Sequence, residues 1–148
     1  MASTPRITAA LPAQVVALTV TRTVLNTGYR MIYPLLPVFT RGVQVEVSDL
    51  VGVLTLMQLL GLVSPFIGSI SERRGRKFTI LLGLLLYATG MLIAFLLPSF
   101  YGLALGMLFA ALGKTAFDPA MQAYMGDRVP YAQRGRVLGI LELAWSGA

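Results

Sequence analysis

The sequence contains no cysteine and no histidine. Disulfide bonds, thiolate nucleophiles and imidazole metal ligands are therefore excluded. An enzyme acting within a membrane is disfavoured as well, because no two carboxylates lie at helical contact spacing within one apolar segment. We therefore expect no catalytic residue, no cofactor and no metal ion.

Charge is also scarce. Charged residues make up only 12% of the 148 residues, whereas hydrophobic residues make up 56%. A soluble domain of this size needs more polar surface, so the composition is typical of a polytopic membrane protein. The net charge of +6 would suit nucleic acid only if the basic residues formed one face of a soluble fold. They lie instead between apolar segments, so we expect no nucleic-acid partner.

The apolar segments predict an all-α, polytopic transmembrane helix bundle embedded in a lipid bilayer. An apolar run of about 20 residues is long enough to cross a bilayer as one helix. Four segments meet this length and a fifth begins before the chain ends, which predicts helices at about residues 11–39, 50–70, 78–97, 100–125 and 137–148. In the fourth, Gly102, Gly106 and Ala110 recur every four residues, which predicts a seam for close helix packing.

The basic residues outside the helices indicate how the bundle is oriented. If four helices cross, one side of the membrane holds the N-terminus and two polar turns, with Arg6, Arg73, Arg74, Arg76, Lys77, Arg128, Arg134 and Arg136. The other side holds only Arg41. Basic loops stay on the cytoplasmic side of bacterial-type membranes. We therefore predict a multi-pass protein of the plasma (cytoplasmic) membrane with a cytoplasmic N-terminus.

Two of the predicted helices carry polar residues at four-residue intervals, which places each set on one helix face. These stripes are Arg22, Asn26 and Arg30 in the first helix, and Lys114, Asp118 and Gln122 in the fourth. A charged side chain that faces lipid near the membrane centre costs roughly 3 kcal/mol or more. We therefore predict that the two stripes face each other across a hydrated space, with the third helix outside.

A purely structural interpretation of these stripes stays open. The first stripe would then bond to backbone carbonyls, and Lys114 would form an ion pair with Asp118 within the fourth helix. Glu142, early in the fifth helix, is expected to pair with a cationic residue.

The most charged run of the chain, residues 68–77, lies between the second and third predicted helices. It is either a basic loop that fixes orientation or a conformational latch. As a latch, Gly75 permits a tight turn and Glu72 accepts charge-assisted hydrogen bonds from Arg76 or meets a helix N-terminus. Asp127 is the candidate partner of Arg73 or Arg76. The predicted latch residues are Gly68 (for close packing), Glu72, Arg73, Gly75, Arg76, Lys77 and Asp127.

The run Gly68-x-x-Ser71-Glu72-Arg73-x-Gly75-Arg76-Lys77 resembles the signature between helices two and three of the major facilitator superfamily, G-x-L-A/S-D/E-R-x-G-R-K/R. Ile70 stands where leucine is commonest, and Glu72 replaces the commoner aspartate. Three further stretches are similar to the family's first helix end, fourth helix end and four-to-five loop: residues 33–37, Gly113 with residues 118–120, and residues 129–136.

The resemblance implies the first four helices and part of a fifth of the N-terminal six-helix half of a two-bundle protein. It implies secondary active transport of a small solute by alternating access, with H⁺ or Na⁺ as possible coupling ions. The first and fourth helices would line its cavity, so the residues of the two polar stripes would face the solute or the ion. It also implies that the missing C-terminal part of the same protein supplies part of the latch. Met107 stands where the family's fourth helix often carries an arginine, so the resemblance does not imply proton antiport.

A non-transporting membrane scaffold or partner subunit is the alternative function. It predicts a short bundle that is stable by itself, and the charges within the helices together with the incomplete fifth helix argue against it.

Overall fold

The computed structural model describes residues 10–129 and 131–146, and within these residues it is all helix and short connections, with no strand. The helices are α1 (Ala10–Arg30), α2 (Leu36–Val43), α3 (Val47–Leu59), α4 (Ser64–Arg74), α5 (Arg76–Leu96), α6 (Phe100–Arg128) and α7 (Tyr131–Ser146). The predicted all-α bundle is therefore confirmed. Arg6 and Pro130, on which parts of the orientation and loop predictions rest, lie outside the described residues, as do residues 147–148.

The antiparallel pair of α5 and α6 is the framework of the bundle and makes its most extensive helix contact. A Cβ atom on Gly90 would lie 2.5 Å from the carbonyl oxygen of Gly106, and one on Gly113 would lie 2.6 Å from that of Gly83. The two helices therefore touch through their backbones, as small residues allow in membrane proteins. The seam predicted on the fourth helix is confirmed at Gly106.

The first predicted helix, residues 11–39, is wrong as a single helix. The chain leaves the α-helix at Arg30, forms turns over residues 31–35, and begins α2 at Leu36. Pro34 has no N–H to donate to the carbonyl of Arg30, so the ladder of hydrogen bonds stops there. Pro37 lies in the first turn of α2, where a missing N–H costs nothing.

The second predicted helix, residues 50–70, is longer than predicted and is not uniform. It begins at Val47, where Glu46 and Asp49 form a reciprocal capping box. A 3₁₀ turn, Leu60–Val63, then separates α3 from α4 without a loop. Pro65 in the first turn of α4 cannot continue the preceding hydrogen-bond ladder, which explains why the tighter turn comes before it.

The other predicted helices were too short at their polar ends. Helix α5 begins at Arg76 instead of residue 78, α6 continues to Arg128, and α7 begins at Tyr131 instead of residue 137. The polar turn predicted over residues 127–136 is therefore mostly helical. Polar residues do not end a helix where it leaves the apolar layer for water, and Arg134 Nε donates to the carbonyl of Val129 across the remaining break at 3.1 Å.

The molecule is a multi-pass membrane protein. Among the described residues, three helical segments are long and apolar enough to cross a membrane: Val47–Arg74, Arg76–Leu96 and Phe100–Arg128. Large apolar side chains such as Phe66 and Phe95 are exposed on their outer surfaces, as expected for contact with lipid. Helix α1 has 21 residues but is not among the three because of its polar stripe, so its crossing and the cytoplasmic N-terminus stay predictions.

Candidate functional site

The polar residues of α1 and α6 meet in the interior of the bundle. The ammonium group of Lys114, on α6, donates to Asn26 Oδ1 on α1 at 2.5 Å and to Asp118 Oδ2, one turn further along α6, at 2.6 Å. Lys114 and Asn26 are both buried. The ion pair within α6 and the contact to α1 thus share one ammonium group.

Helix α7 joins this group through Glu142. Arg22 of α1 donates from Nη1 to Glu142 Oε1 at 2.9 Å, and its Nε lies 3.6 Å from Asp118 Oδ1. Gln122 also donates to Glu142 Oε1, at 3.3 Å. We call these six residues the charge cluster: Arg22, Asn26, Lys114, Asp118, Gln122 and Glu142.

The charge cluster is electrically neutral, with two cations and two carboxylates. Isolated charges would be very costly for the buried Arg22 and Lys114, but each of the four charges has an opposite charge within salt-bridge distance. The cluster therefore ties α1, α6 and α7 together without a net charge. The predicted pairing of Glu142 with a cationic residue is confirmed by its contact with Arg22.

The prediction of a hydrated space between the two stripes is wrong at the level of Arg22 and Asn26. Contacts of 2.5 to 3.6 Å leave no room for water between α1 and α6 there. Opposite charges on facing helices bring the side chains into direct contact, because a separated pair would have to keep both ions hydrated. A structural role thus describes Arg22 and Asn26 best, but the contacts described above are with side chains and not with the backbone carbonyls that this interpretation predicted.

An open cavity of about 460 Å³ adjoins the charge cluster. Of the six residues predicted to face a solute, Arg30, Lys114 and Asp118 line this cavity, whereas Arg22, Asn26 and Gln122 do not. Its walls come from α1, the bent α3–α4 segment and α6, and α5 contributes nothing to them. The third predicted helix therefore lies outside the cavity, as expected.

Several residues of the cavity wall were not predicted from the sequence. Tyr29 and Tyr33 both line it, and Gln58 of α3 donates to the hydroxyl of Tyr33 at 3.1 Å. The ammonium group of Lys114 lies 5.8 Å from the centre of the Tyr29 ring, within range of a cation–π contact. The signals were present, because the tyrosines flank Arg30 and Gln58 is polar within an apolar run.

The charged turn between α4 and α5 is joined to the end of α6. Arg76 binds Asp127 through both ends of its guanidinium group, with Nε 2.5 Å from Oδ2 and the other nitrogen 3.3 Å from Oδ1. Of the two predicted partners of Asp127, Arg76 is the one it contacts. Gly75 has φ +94°, a left-handed conformation that side chains strongly disfavour, which confirms the predicted tight turn.

Two contacts predicted for this turn, close packing at Gly68 and a bond between Glu72 and Arg76, are not formed among the described residues. The alternative contact of Glu72 with a helix N-terminus stays a prediction. A Cβ atom on Gly68 would have no neighbour within 4 Å, so no described helix packs closely there. Glu72 does not bind Arg76, because the turn at Gly75 carries Arg76 onto α5 and towards Asp127. Within the described part of the chain, Glu72 has no hydrogen-bond partner, and Arg73 is exposed without an ion pair.

The fold and site thus define a helical, multi-pass membrane protein with ionic residues inside its bundle and a cavity that some of them line. The profile of the Major Facilitator Superfamily matches residues 18–148. The chain belongs to this superfamily, as the signature at residues 68–77 predicted.

Two curated relatives give the scale of the similarity. The chain is 31% identical over 119 residues to the Uncharacterized MFS-type transporter YwfA of Bacillus subtilis, an alignment that covers 78% of this chain and 28% of the relative. It is 25% identical over 117 residues to the Quinolone resistance protein NorA of Staphylococcus aureus, covering 77% of this chain and 30% of the relative. The chain therefore spans less than a third of the length of these relatives. No solved structure matches it significantly.

Proposed function

We propose that the chain is part of a secondary active transporter that moves a small solute across the cytoplasmic membrane by alternating access. The observation that carries this proposal is the cavity that adjoins the charge cluster inside a membrane-embedded bundle. Ionisable residues within membrane-spanning segments are rare and usually belong to solute or ion pathways. The proposal assigns no catalytic residue and no cofactor.

The chemistry of the cavity supports a small organic solute. Its volume of about 460 Å³ falls in the usual range for small-molecule sites, roughly 300–1,000 Å³. Tyr29 and Tyr33 offer aromatic surface, Arg30 and Lys114 offer positive charge, and Asp118 is the acidic residue among the described lining residues. Asp118 is therefore the residue that we assign to contact with a coupling H⁺ or Na⁺.

Alternating access also requires further helices of the same protein. In a transporter that alternates between two open states, a second bundle must close the cavity from one side at a time. The C-terminal part of the same protein is the proposed partner, at the cavity and at the turn around Glu72. Because one relative is named for quinolone resistance, quinolones are the first solutes to test.

Cysteine labelling tests the alternating-access proposal, and the absence of cysteine from this chain removes background within it. In the protein of natural length, we expect Ser64→Cys, in the cavity wall, to react with an impermeant maleimide at a rate that changes several-fold when a transported quinolone is added. Phe66→Cys, 71% exposed on the outer surface that we expect to contact lipid, is the control that the water-soluble reagent should not label with or without the solute. Arg74→Cys should react only from the cytoplasm.

Two results would contradict the proposal. If Ser64→Cys reacted from one side only, at a rate that no solute altered, the bundle would behave as a static scaffold. If Arg74→Cys reacted from outside intact cells, the predicted orientation would be wrong.

Gly75→Val is expected to impair transport while the protein still inserts into the membrane. A β-branched residue at φ +94° introduces strain of roughly 1–3 kcal/mol, which corresponds to about 5- to 150-fold in a conformational equilibrium. The same strain displaces Arg76 from Asp127. Transport by reconstituted vesicles and the amount of inserted protein are the two measurements.

Gly52→Ala is the matched control for this substitution, because Gly52 lies in α3 with open space around it and no positive φ. We expect it to transport normally. Equal transport by the two variants would show that the turn does not govern the conformational change.

A further inference from the structure

A second cleft, of about 450 Å³, lies at the end of the bundle where α4, α5 and α6 meet. It shares no lining residue with the cavity described above. We propose that this cleft binds the phosphate of an anionic phospholipid headgroup. Its lining residues are Ser71, Glu72, Gly75, Arg76, Lys77, Tyr124, Asp127 and Arg128.

The N-terminus of α5 forms one wall of the cleft. Gly75 is the N-cap residue of this 21-residue helix, and it has no side chain to accept a hydrogen bond from the first turn. Gly75, Arg76 and Lys77 all line the cleft. Unsatisfied N–H groups and the positive end of the helix dipole together favour an anion at such a position.

Two cationic side chains stand beside this helix end without an acidic partner among the described residues. They are Lys77 and Arg128, whereas Arg76 is neutralised by Asp127. The guanidinium carbon of Arg128 lies 3.8 Å from the centre of the Tyr124 ring, so the ring holds the charge against the cleft wall. A guanidinium group and an ammonium group are the side chains that most often bind phosphate oxygens.

A buried hydroxyl provides an independent reason to expect a ligand. Ser71 lines the cleft and is only 6% exposed, yet its Oγ has no hydrogen-bond partner within the described residues. A buried polar group without a partner is rare in folded proteins because water has been removed without compensation. An anionic oxygen in the cleft would accept a hydrogen bond from this hydroxyl.

The carboxylate of Glu72 opposes the binding of an anion in this cleft. It lines the same cleft and has no partner among the described residues, so it repels a phosphate. Counting all five charged residues of the lining, the cleft still has a positive excess of one charge. Removing the Glu72 charge should therefore strengthen binding.

The position of the cleft favours a lipid over a free phosphate ion. It opens where the turn between two membrane-crossing segments, Val47–Arg74 and Arg76–Leu96, meets the end of a third. Exposed apolar side chains flank it in sequence, namely Ile70 before Ser71 and Phe78 after Lys77. A lipid can therefore place its phosphate in the cleft and its acyl chains against these side chains, as basic residues at membrane boundaries allow.

The test measures phospholipid binding to the purified protein of natural length, by native mass spectrometry with phosphatidylglycerol and phosphatidylcholine. Each basic residue near a membrane surface contributes about fivefold to anionic lipid binding, so the double variant Lys77→Gln/Arg128→Gln should bind phosphatidylglycerol roughly 25-fold more weakly. The matched control is Arg73→Gln/Arg74→Gln, which removes the same number of positive charges at the end of α4, outside the cleft, and should lose far less. Glu72→Gln should bind severalfold more tightly.

Ser71→Ala keeps every charge and should weaken binding by a few-fold while its melting temperature stays unchanged. The proposal is overturned if both double variants lose affinity equally, since binding would then be diffuse, or if neither loses it. It is overturned also if Glu72→Gln weakens binding. If glycerol phosphate in solution competes fully and phosphatidylglycerol shows no advantage over it, the cleft binds soluble anions and the lipid assignment is wrong.

Discussion

Gly113→Ala is expected to disrupt the bundle, although it adds a single methyl group. The added Cβ would lie 2.6 Å from both the carbonyl oxygen of Gly83 and the amide nitrogen of Tyr87. Both are backbone atoms, which cannot rotate out of the way, so α5 and α6 must separate. Overpacking of this kind typically costs about 1–3 kcal/mol, and separation also opens the neighbouring Gly90–Gly106 contact.

The damage should extend beyond the two helices. The hydroxyl of Tyr87, on α5, donates to the carbonyl of Leu25 on α1 at 3.2 Å, so a shift of α5 also pulls on α1. We expect Gly113→Ala to lower the melting temperature in detergent by many degrees and to reduce the yield of monodisperse protein.

Gly126→Ala is the matched control, because Gly126 lies in the same helix with no atom within 4 Å of an added Cβ. Alanine favours a helix over glycine by about 1 kcal/mol, so this variant should be as stable as the parent or more so. Similar melting temperatures for both variants would show that the glycine contact is not what holds α5 against α6.

The partners of this seam could be predicted on one helix only. Glycines that recur every four residues mark α6 in the sequence itself. Gly83 and Gly90 of α5 are seven residues apart in a helix that is apolar on every side. No four-residue repeat of small residues therefore marks them as a packing seam. Their role depends on the crossing of two helices, which hydropathy does not specify.

The interruption between α1 and α2 has a local cause that the sequence does contain. Pro34 and Pro37 lie in the stretch of residues 33–37 that resembles the end of the family's first helix, and they do mark a helix end, but α2 begins after it. Proline removes a hydrogen bond without specifying whether the next residues restart a helix. The restart comes from the apolar face of α2, which packs against α3.

For the site, helical periodicity predicted which face of each helix carries the polar residues, but not how deeply each of these residues is buried. The spacing of Arg22, Asn26 and Arg30 places them on one face, yet Arg22 and Asn26 are enclosed while Arg30 reaches the cavity. Which of them meets a charged partner depends on the distance between α1 and α6 at each level. That distance is set by packing elsewhere in the bundle, including the contact of Tyr87 with α1.

Asp118→Asn is expected to have the largest effect on the site. The charge cluster would change from neutral to a net positive charge, because Arg22 and Lys114 would retain only Glu142 as a counter-charge. Removing one partner of a buried ion pair typically costs about 3–5 kcal/mol, since the other charge stays buried without compensation. Thermal unfolding in detergent should show a large loss of stability, and transport should be abolished.

Glu142→Gln is the matched control with the same change of charge. The side chain of Glu142 is 54% exposed, against 24% for Asp118, and Arg22 keeps Asp118 within 3.6 Å when Glu142 loses its charge. Exposed ion pairs contribute at most about 1 kcal/mol, and the loss of stability should be correspondingly small. Equal losses in the two variants would contradict the view that burial at Asp118 determines the cost.

The double variant Lys114→Met/Asp118→Met separates the structural role of this pair from its proposed role in transport. It removes one positive and one negative charge together, so the cluster stays neutral through Arg22 and Glu142. Apolar replacements of buried ion pairs are often neutral or stabilising, and we expect the melting temperature to recover most of the loss seen in Asp118→Asn. Transport should stay absent, because both residues line the cavity. A stable double variant that transports at the parental rate would show that the pair serves only to hold α6 and α1 together.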